Sequence, residues 1–175
     1  MITIAEQLPE DIGAIARILD KAFGPAREDK TSYAYRLGIQ PTDDLSFVAR
    51  DEDGIVGTLR FWPVYIGNDA ISALLLGPLG VAPKRQNAGI GKALMNHGHR
   101  AAKKLGHSAV LLVGDRDYYK NFGYSSASAH AIIMPGEGPS RLLCRELTPG
   151  ALDGVNGTIM RADAVHVISS RQDRA

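Results

Sequence analysis

Two kinds of apolar spacing alternate along the chain, and the switches between them outline its elements. At the N-terminus "MITIAEQ" reads as a short strand. In "PEDIGAIARILDKAFG", Ile12, Ile15, Ala16, Leu19 and Phe23 recur at helical spacing, with Pro9 near the start and Gly24 past the end. A weaker helical pattern covers "AREDKTSYAYRLG", with Tyr33 and Leu37 on one side. "LSFVAR" and "IVGTLRFWPVYIG" flank the acidic, glycine-ended "DEDG" and predict a hairpin. A turn at Asn68-Asp69 leads into "AISALLLGPLGV", a long apolar strand interrupted by Gly77, Pro78 and Gly80. Residues of that kind inside a strand predict a bulge, or a place where another backbone comes close.

Ile90, Leu94, Gly98, Ala101 and Leu105 then mark the inner face of a helix that leaves Lys92, Arg100 and Lys103 elsewhere, with Gly106 as its C-cap. "SAVLLVG" is short, continuous and apolar, which suits a buried strand. "DRDYYKNFGY" predicts one or two helical turns ended by Gly123, and "SSASAHAIIMPG" and "SRLLCREL" complete the strands. From Thr148 the pattern fades, and "SSRQDRA" is expected to be a mobile tail. The order predicts an α/β (α+β) fold: a mixed, mostly antiparallel sheet with one strand–helix–strand crossover near the middle.

Composition narrows the function classes. With 175 residues, 45% hydrophobic and 22% charged, the chain suits one globular domain. A formal net charge of +1 gives no support for a nucleic-acid or anionic-membrane partner. Cys144 is the sole cysteine, which excludes an internal disulfide, and alternation in "RLLCREL" makes it a core side chain. The N-terminus lacks the basic-then-apolar order of a signal peptide, and no uncharged apolar run approaches the roughly 18 residues of a membrane span, so a cytoplasmic protein is expected. His97 and His99 stand two apart on the predicted helix and face different sides; His107, His130 and His166 are scattered. No metal is expected.

The candidate chemistry sits in "VAPKRQNAGIGKAL", Val81 to Leu94. The first N–H groups of a helix have no partners within it, and the helix dipole adds positive character there. Asn87, Ala88, Gly89, Ile90 and Gly91 would supply such donors, with Lys84, Arg85 and Lys92 nearby. A diphosphate fits that arrangement; so does an ordinary strand-to-helix turn with a solvated basic rim. The spelling fails two familiar phosphate loops. A P-loop needs glycine where Gln86 stands and Ser or Thr where Ala93 stands, and the dinucleotide fingerprint needs Gly or Ala at Leu94.

The same residues resemble the acyl-CoA motif of the GNAT superfamily of N-acetyltransferases. There a strand ending in Val-x-Pro leads to Gln/Arg-x-x-Gly-x-Gly/Ala and a helix, positions filled here by Gln86, Gly89 and Gly91. "YYKNFGY" is similar to that family's Tyr-x-x-x-Gly-aromatic ending. "LLVGDRDYYKNFGY" and "RELTPGALDGVNGTI" are similar to its bacterial YhbS-like branch. The resemblance runs from Met1 to about Leu147, implying a GNAT-like domain over 1–147 and a C-terminal extension over 148–175.

The resemblance implies a sheet whose central strands, Ala70–Val81 and Ser108–Val113, splay to admit the cofactor's pantetheine arm. Acetyl-CoA is the implied cosubstrate, held by the backbone of Leu79 and Val81 and by Gln86, Asn87, Ala88, Gly89, Ile90, Gly91 and Lys92. Tyr119 is the implied acid toward the departing thiolate, or else a ring packed beside the cofactor. Tyr118 and Tyr124 read as packing residues. Many relatives place a basic carboxylate on the first splayed strand, yet none lies between Ile71 and Val81. Asp115 could replace it, although capping the short helix is the reading favoured for that residue. The implied activity is acetyl transfer to a primary amine, a small molecule in preference to a protein, by direct attack. A catalytically silent acyl-CoA-binding module and a protein N-acetyltransferase are the alternatives, and a homodimer is compatible with the family. The acceptor side would be shaped by "FGPAREDKTSYAYRLG" and "PGEGPS", where Glu28, Asp29, Tyr33, Tyr35 and Arg36 can meet a charged amine or its carboxylate.

Overall fold

The structure, a computed structural model, describes residues 1–164. His166 and the expected mobile tail lie outside the described residues. Strands β1 (Thr3–Glu6), β2 (Ser46–Asp51), β3 (Gly54–Ile66), β4 (Ile71–Val81), β5 (Ala109–Val113), β6 (Ser125–Ser126), β7 (Ile132–Ile133), β8 (Leu142–Glu146) and β9 (Gly157–Arg161) are joined by helices α1 (Ile12–Phe23), α2 (Thr31–Ala34), α3 (Ile90–Lys104) and α4 (Arg116–Tyr119). The main path of the sheet runs β1-β2-β3-β4-β5-β8-β6. Neighbours are antiparallel except β4 with β5 and β7 with β9. The crossover through α3 is what makes β4 and β5 parallel.

Alternation along the strands divides the core in two. On one face Phe47, Leu59, Phe61, Leu74, Leu76, Val110 and Leu112 meet Ile90, Leu94 and Met95 of α3. The approach is close: a Cβ on Gly98 would stand 2.7 Å from the Phe61 ring, so α3 rests on β3 at a residue with no side chain. On the other face Val48 packs on Ile15 and Leu19 of α1, while Trp62, Leu75 and Leu111 lie under Met134, Leu152 and Ile159 from the C-terminal part of the chain. A sheet covered on both faces is the stable arrangement for strands this apolar.

Several expectations are corrected. The second helix is broken: a 3-10 turn over Pro25–Asp29 precedes α2, which has four residues. Arg161 of β9 donates to the carbonyls of Ala34 and Leu37, satisfying the groups that a further turn would have used. Leu37, expected beside Tyr33, is exposed. The buried face of α3 includes His99 and Ala102, while Leu105 is half-exposed. "SSASAHAIIMPG" yields only two-residue strands around a 3-10 turn over Ala127–His130, where Ser126 Oγ meets Ser128 Oγ at 2.7 Å. In the stretch where the pattern fades, β9 forms and pairs with both β3 and β7. Of its five residues only Ile159 is buried, which leaves no periodic signal to read.

Candidate active site

Two features of β4 open the site. Leu59 pairs with Leu79 and Phe61 with Leu76, so Gly77 and Pro78 stand opposite Arg60 alone: the bulge expected in this stretch. Trp62 Nε1 donates to the carbonyl of Gly77 at 2.6 Å and fixes the bulge in place. On its other side β4 pairs with β5 only at Leu74 with Val110 and Leu75 with Leu111, and beyond that point the two strands part. Ala82 N–H donates to Val56 O at 2.8 Å. Strand alternation therefore turns the backbone groups of Val81 and Leu79 away from β3, toward the gap that β5 has left.

A cavity of about 600 Å³ occupies that gap, with Leu76 to Leu79 on one wall and Leu112, Val113 and Tyr119 on the other. A second, of about 530 Å³, continues beneath α1 and α2 toward Trp62 and Arg60. Tyr33, Arg36 and Pro78 border both. Two residues of the apolar stripe read as core on α1 have exposed surface here: Ile12 on the outer cavity and Phe23 on the inner one.

The turn between β4 and α3 lies at the rim. Pro83–Arg85 forms a 3-10 turn, Asn87 has φ 64°, and Gly89, at φ 76°, is the N-cap of α3 with no side chain bonded to it. Among the described residues no acceptor takes the N–H groups of Asn87, Ala88, Gly89, Ile90, Gly91 or Lys92. Gln86 and Asn87 through Gly89 are exposed, Lys92 likewise, whereas the Ile90 side chain is buried and offers the rim only its backbone. Arg85 does not belong to the free cations of the turn. It binds Asp51 at 2.8 Å and also Asp53, and so straps the turn to the β2–β3 hairpin.

Tyr119 enters the gap from the other wall. Its ring lies over Gly114, where any Cβ would collide with it. It meets the ring of Tyr118 at 4.9 Å and that of Tyr124 at 5.9 Å, centroid to centroid. Burial, with Tyr118 adding to it, pushes its phenol up to about 12, so it stays neutral across the working range. Tyr118 is not the core residue expected: it is half-exposed, and its hydroxyl lies 3.2 Å from where a Cβ on Gly91 would stand, over the start of α3. Asp115 is the N-cap of α4 and accepts from Asp117 N–H at 2.8 Å.

Behind Tyr119, Tyr124 Oη lies 2.8 Å from His99 Nε2, and His99 Nδ1 lies 2.8 Å from Arg145 Nη1. Arginine can only donate, so Nδ1 accepts and Nε2 carries the proton that goes to Tyr124. Burial, followed by the charge of Arg145, holds His99 at about 3. A neutral imidazole is thus built into the wall that supports Tyr119.

Sequence reasoning did not single out three groups, although "PGEGPS" holds the first. Glu137, on the loop after β7, is the one carboxylate of the inner cavity that is mostly shielded, with its side chain 16% exposed; Asp29 and Asp115 there are exposed. Arg60 lies outside the segments read as acceptor-shaping, and Tyr118 reads as core. None carries a spacing signal, because each reaches the site through the bulge, the parted strands or the broken helix. Among the described residues no group of three His, Cys, Asp or Glu side chains comes together as a metal site.

The comparisons with known proteins agree with this geometry. A family model described as an acetyltransferase (GNAT) domain matches residues 42–126. Over 158 residues the chain is 28% identical to the uncharacterized N-acetyltransferase YhbS of Escherichia coli, covering 89% of this chain and 93% of that one. The crystal structure of Escherichia coli YhbS in complex with CoA superposes with a TM-score of 0.81 at 27% identity, covering 94% of this chain and 92% of the other. A GNAT family acetyltransferase from Brucella melitensis in complex with acetyl-CoA superposes at 0.71 with 26% identity, covering 94% and 98%. In its parted central strands, its open helix start and these likenesses, the chain is similar to GNAT acetyltransferases, with a GNAT acetyltransferase domain matched over residues 42–126.

Proposed function

We propose that the protein transfers an acetyl group from acetyl-CoA to the primary amine of a small molecule by direct attack. The observation that carries this reading is the run of unpartnered N–H groups from Asn87 to Lys92, set at the end of a strand that has parted from its neighbour. The diphosphate of the cosubstrate is bound there, by Gln86 through Lys92, where backbone donors and the helix dipole act together. Its pantetheine amides pair with the backbone of Leu79 and Val81 as an added strand would. The thioester carbonyl then lies against Val81 N–H, which steadies the oxyanion as it forms.

In the reaction a nitrogen–carbon bond forms, the carbon–sulfur bond breaks, the nitrogen loses a proton and the sulfur gains one. We assign Glu137 as acceptor for the nitrogen's proton, being the shielded carboxylate of the cavity with Arg141 3.7 Å away, while Asp115 caps its helix. Tyr119 faces the sulfur. With its phenol raised to about 12, outright transfer to a thiolate of ordinary pKa would run uphill by about 5 kcal/mol. Its role is therefore to donate a hydrogen bond that steadies the leaving sulfur, and the proton that neutralises the thiolate comes from the medium. Adjoining clefts of about 600 and 530 Å³ are of a size to take a metabolite-sized acceptor.

Incubation with acetyl-CoA and a panel of amines, with free thiol followed, tests the reading. Tyr119→Phe should lower kcat on the order of 100-fold and leave CoA affinity nearly intact. Unchanged turnover in that variant removes Tyr119 from the mechanism. Binding of acetyl-CoA without thiol release on any amine would instead favour a silent acyl-CoA-binding module.

A further inference from the structure

Where the two cavities meet, one charge has no counter-charge. Arg36 runs inward from just past the end of α2 and is only 8% exposed. Its guanidinium carbon stands 4.8 Å from the centroid of the Tyr33 ring. Its Nη2 lies against the bare Cα of Gly77, in space that a Cβ would enter to within 2.8 Å. The Nε is buried and has no hydrogen-bond partner. The carbonyl of Gly77 accepts from Trp62. Among the described residues no carboxylate comes within ion-pairing distance of Arg36. Burial brings its pKa down to about 10, and the charge of Arg60 contributes in the same direction, so it remains a cation at neutral pH.

Two other arginines that are partly shielded have carboxylate partners. Arg27 is held by Asp20 at 2.8 Å and Arg50 by Asp11 at 2.6 Å. A buried cation without a partner costs folding free energy, and a second cation beside it adds to the cost. Arg60 is itself more than half withdrawn from solvent and gives only its Nε, to Gln7 Oε1 at 2.7 Å. Arg36 lines both cavities, and Arg60, opposite the bulge, lines the outer one. The opposite charges that face the same space, Glu28 and Asp29, are exposed at its mouth, as is Lys30.

We propose that Arg36, with Arg60 behind it, receives a carboxylate carried by the acceptor, so that the acceptor is an amino-acid-like molecule whose amine faces the gap between β4 and β5. The inference rests on the acyl-transfer reading and specifies its substrate class. A planar guanidinium fork matches a carboxylate in shape, and a singly charged group is what one buried cation can neutralise. The Tyr33 ring stands against the guanidinium, and Pro78 lines the same cavity.

The test uses the twenty amino acids, their carboxamides, and aminoalkylphosphonates, with wild type and Arg36→Met. Two readouts run in parallel: thiol release from acetyl-CoA, and the emission of Trp62, the sole tryptophan of the chain, which lines the outer cavity. Emission is recorded with and without acetyl-CoA. Wild type should prefer an acid over its carboxamide by on the order of 100-fold, from the loss of a desolvated charge pair. Arg36→Met should lose that preference, retain its KM for acetyl-CoA, and melt no lower than wild type, since an unpaired buried charge has gone. A purely structural arginine would instead lower the melting temperature and leave the preference in place. Arg36→Lys, which keeps the charge without the fork, should recover part of the preference. Equal use of acids and carboxamides, a preference for phosphonates, or no response of Trp62 to any amino acid overturns the inference. Failure to bind acetyl-CoA overturns the acyl-transfer reading instead, and the Trp62 titration still decides the carboxylate site.

Discussion

The two ends of the cleft are built from different material. At the β4–α3 turn the donors are backbone N–H groups, and the side chains around them are small, exposed or turned elsewhere. At the proposed acceptor end the cavity is lined by side chains that converge from separate elements: Tyr33 and Arg36 from α2 and just after it, Arg60 and Trp62 from β3, Glu137 from the loop after β7. Backbone donors recognise what is common to every acyl-CoA. Side chains can be exchanged one at a time, and so can be fitted to a particular acceptor without disturbing the cofactor end. The cis Gly77-Pro78 bulge, fixed by Trp62, is where the two meet.

The contrast can be broken most severely at Gly91. A glutamate there would face the Tyr118 hydroxyl at close range and set a negative charge against the diphosphate. CoA affinity should fall on the order of 100-fold, or about 2.7 kcal/mol, as read by calorimetry. An unchanged affinity would mean that the turn does not hold the diphosphate.

The wall that joins the two ends can be probed through pH. His99 is neutral in the fold because burial, and then Arg145, depress its pKa from 6.5 to about 3. The unfolded chain takes up a proton at this residue as pH drops below about 6.5, while the folded one does not. The stability it lends is therefore whole above that pH and is lost progressively down to about 3. Below pH 6 the unfolding free energy should fall at a slope approaching 1.4 kcal/mol per pH unit from this residue, as an order of magnitude. Burial shifts His97 and His107 in the same direction. The contribution of His99 is thus the difference between wild type and His99→Gln in urea titrations across pH 5 to 7.

The smallest effect is expected at Asp115. Asn caps a helix as well as Asp does, so Asp115→Asn keeps the α4 cap and removes only the charge. Stability should shift by less than about 0.5 kcal/mol, and kcat should stay within about two-fold for a residue outside the proton path. A large loss of kcat would return the base role to this residue.

The β4–α3 turn and the β4 bulge were legible because close approach to a backbone leaves a mark in the sequence. Gly89 and Gly91 at the helix start, and Gly77 with Pro78 in the strand, are residue types chosen for what they lack. The α1 helix and the β2–β3 hairpin were legible from periodicity. At the other end the segments holding Tyr33, Arg36 and Glu137 were named, but not how they assemble, since no spacing rule links Arg36 to Gly77 or Arg60 to Arg36. Its outline depends on α2 stopping early, at an end where Arg161, more than 120 residues further on, takes the carbonyls of Ala34 and Leu37. His99 was hidden for a related reason. Only the pairing with Tyr124 and Arg145 lets a histidine replace an aliphatic side chain on the inner face of α3.

The central claim is that unpartnered amides at the start of α3 hold the diphosphate while the strand before it presents Leu79 and Val81 to the rest of the cosubstrate. Amide resonances followed by NMR during a CoA titration test it residue by residue. The account predicts the largest shifts, and new protection from exchange, at Leu79, Val81 and Asn87 through Lys92. Shifts concentrated elsewhere, with those amides unmoved, would contradict it.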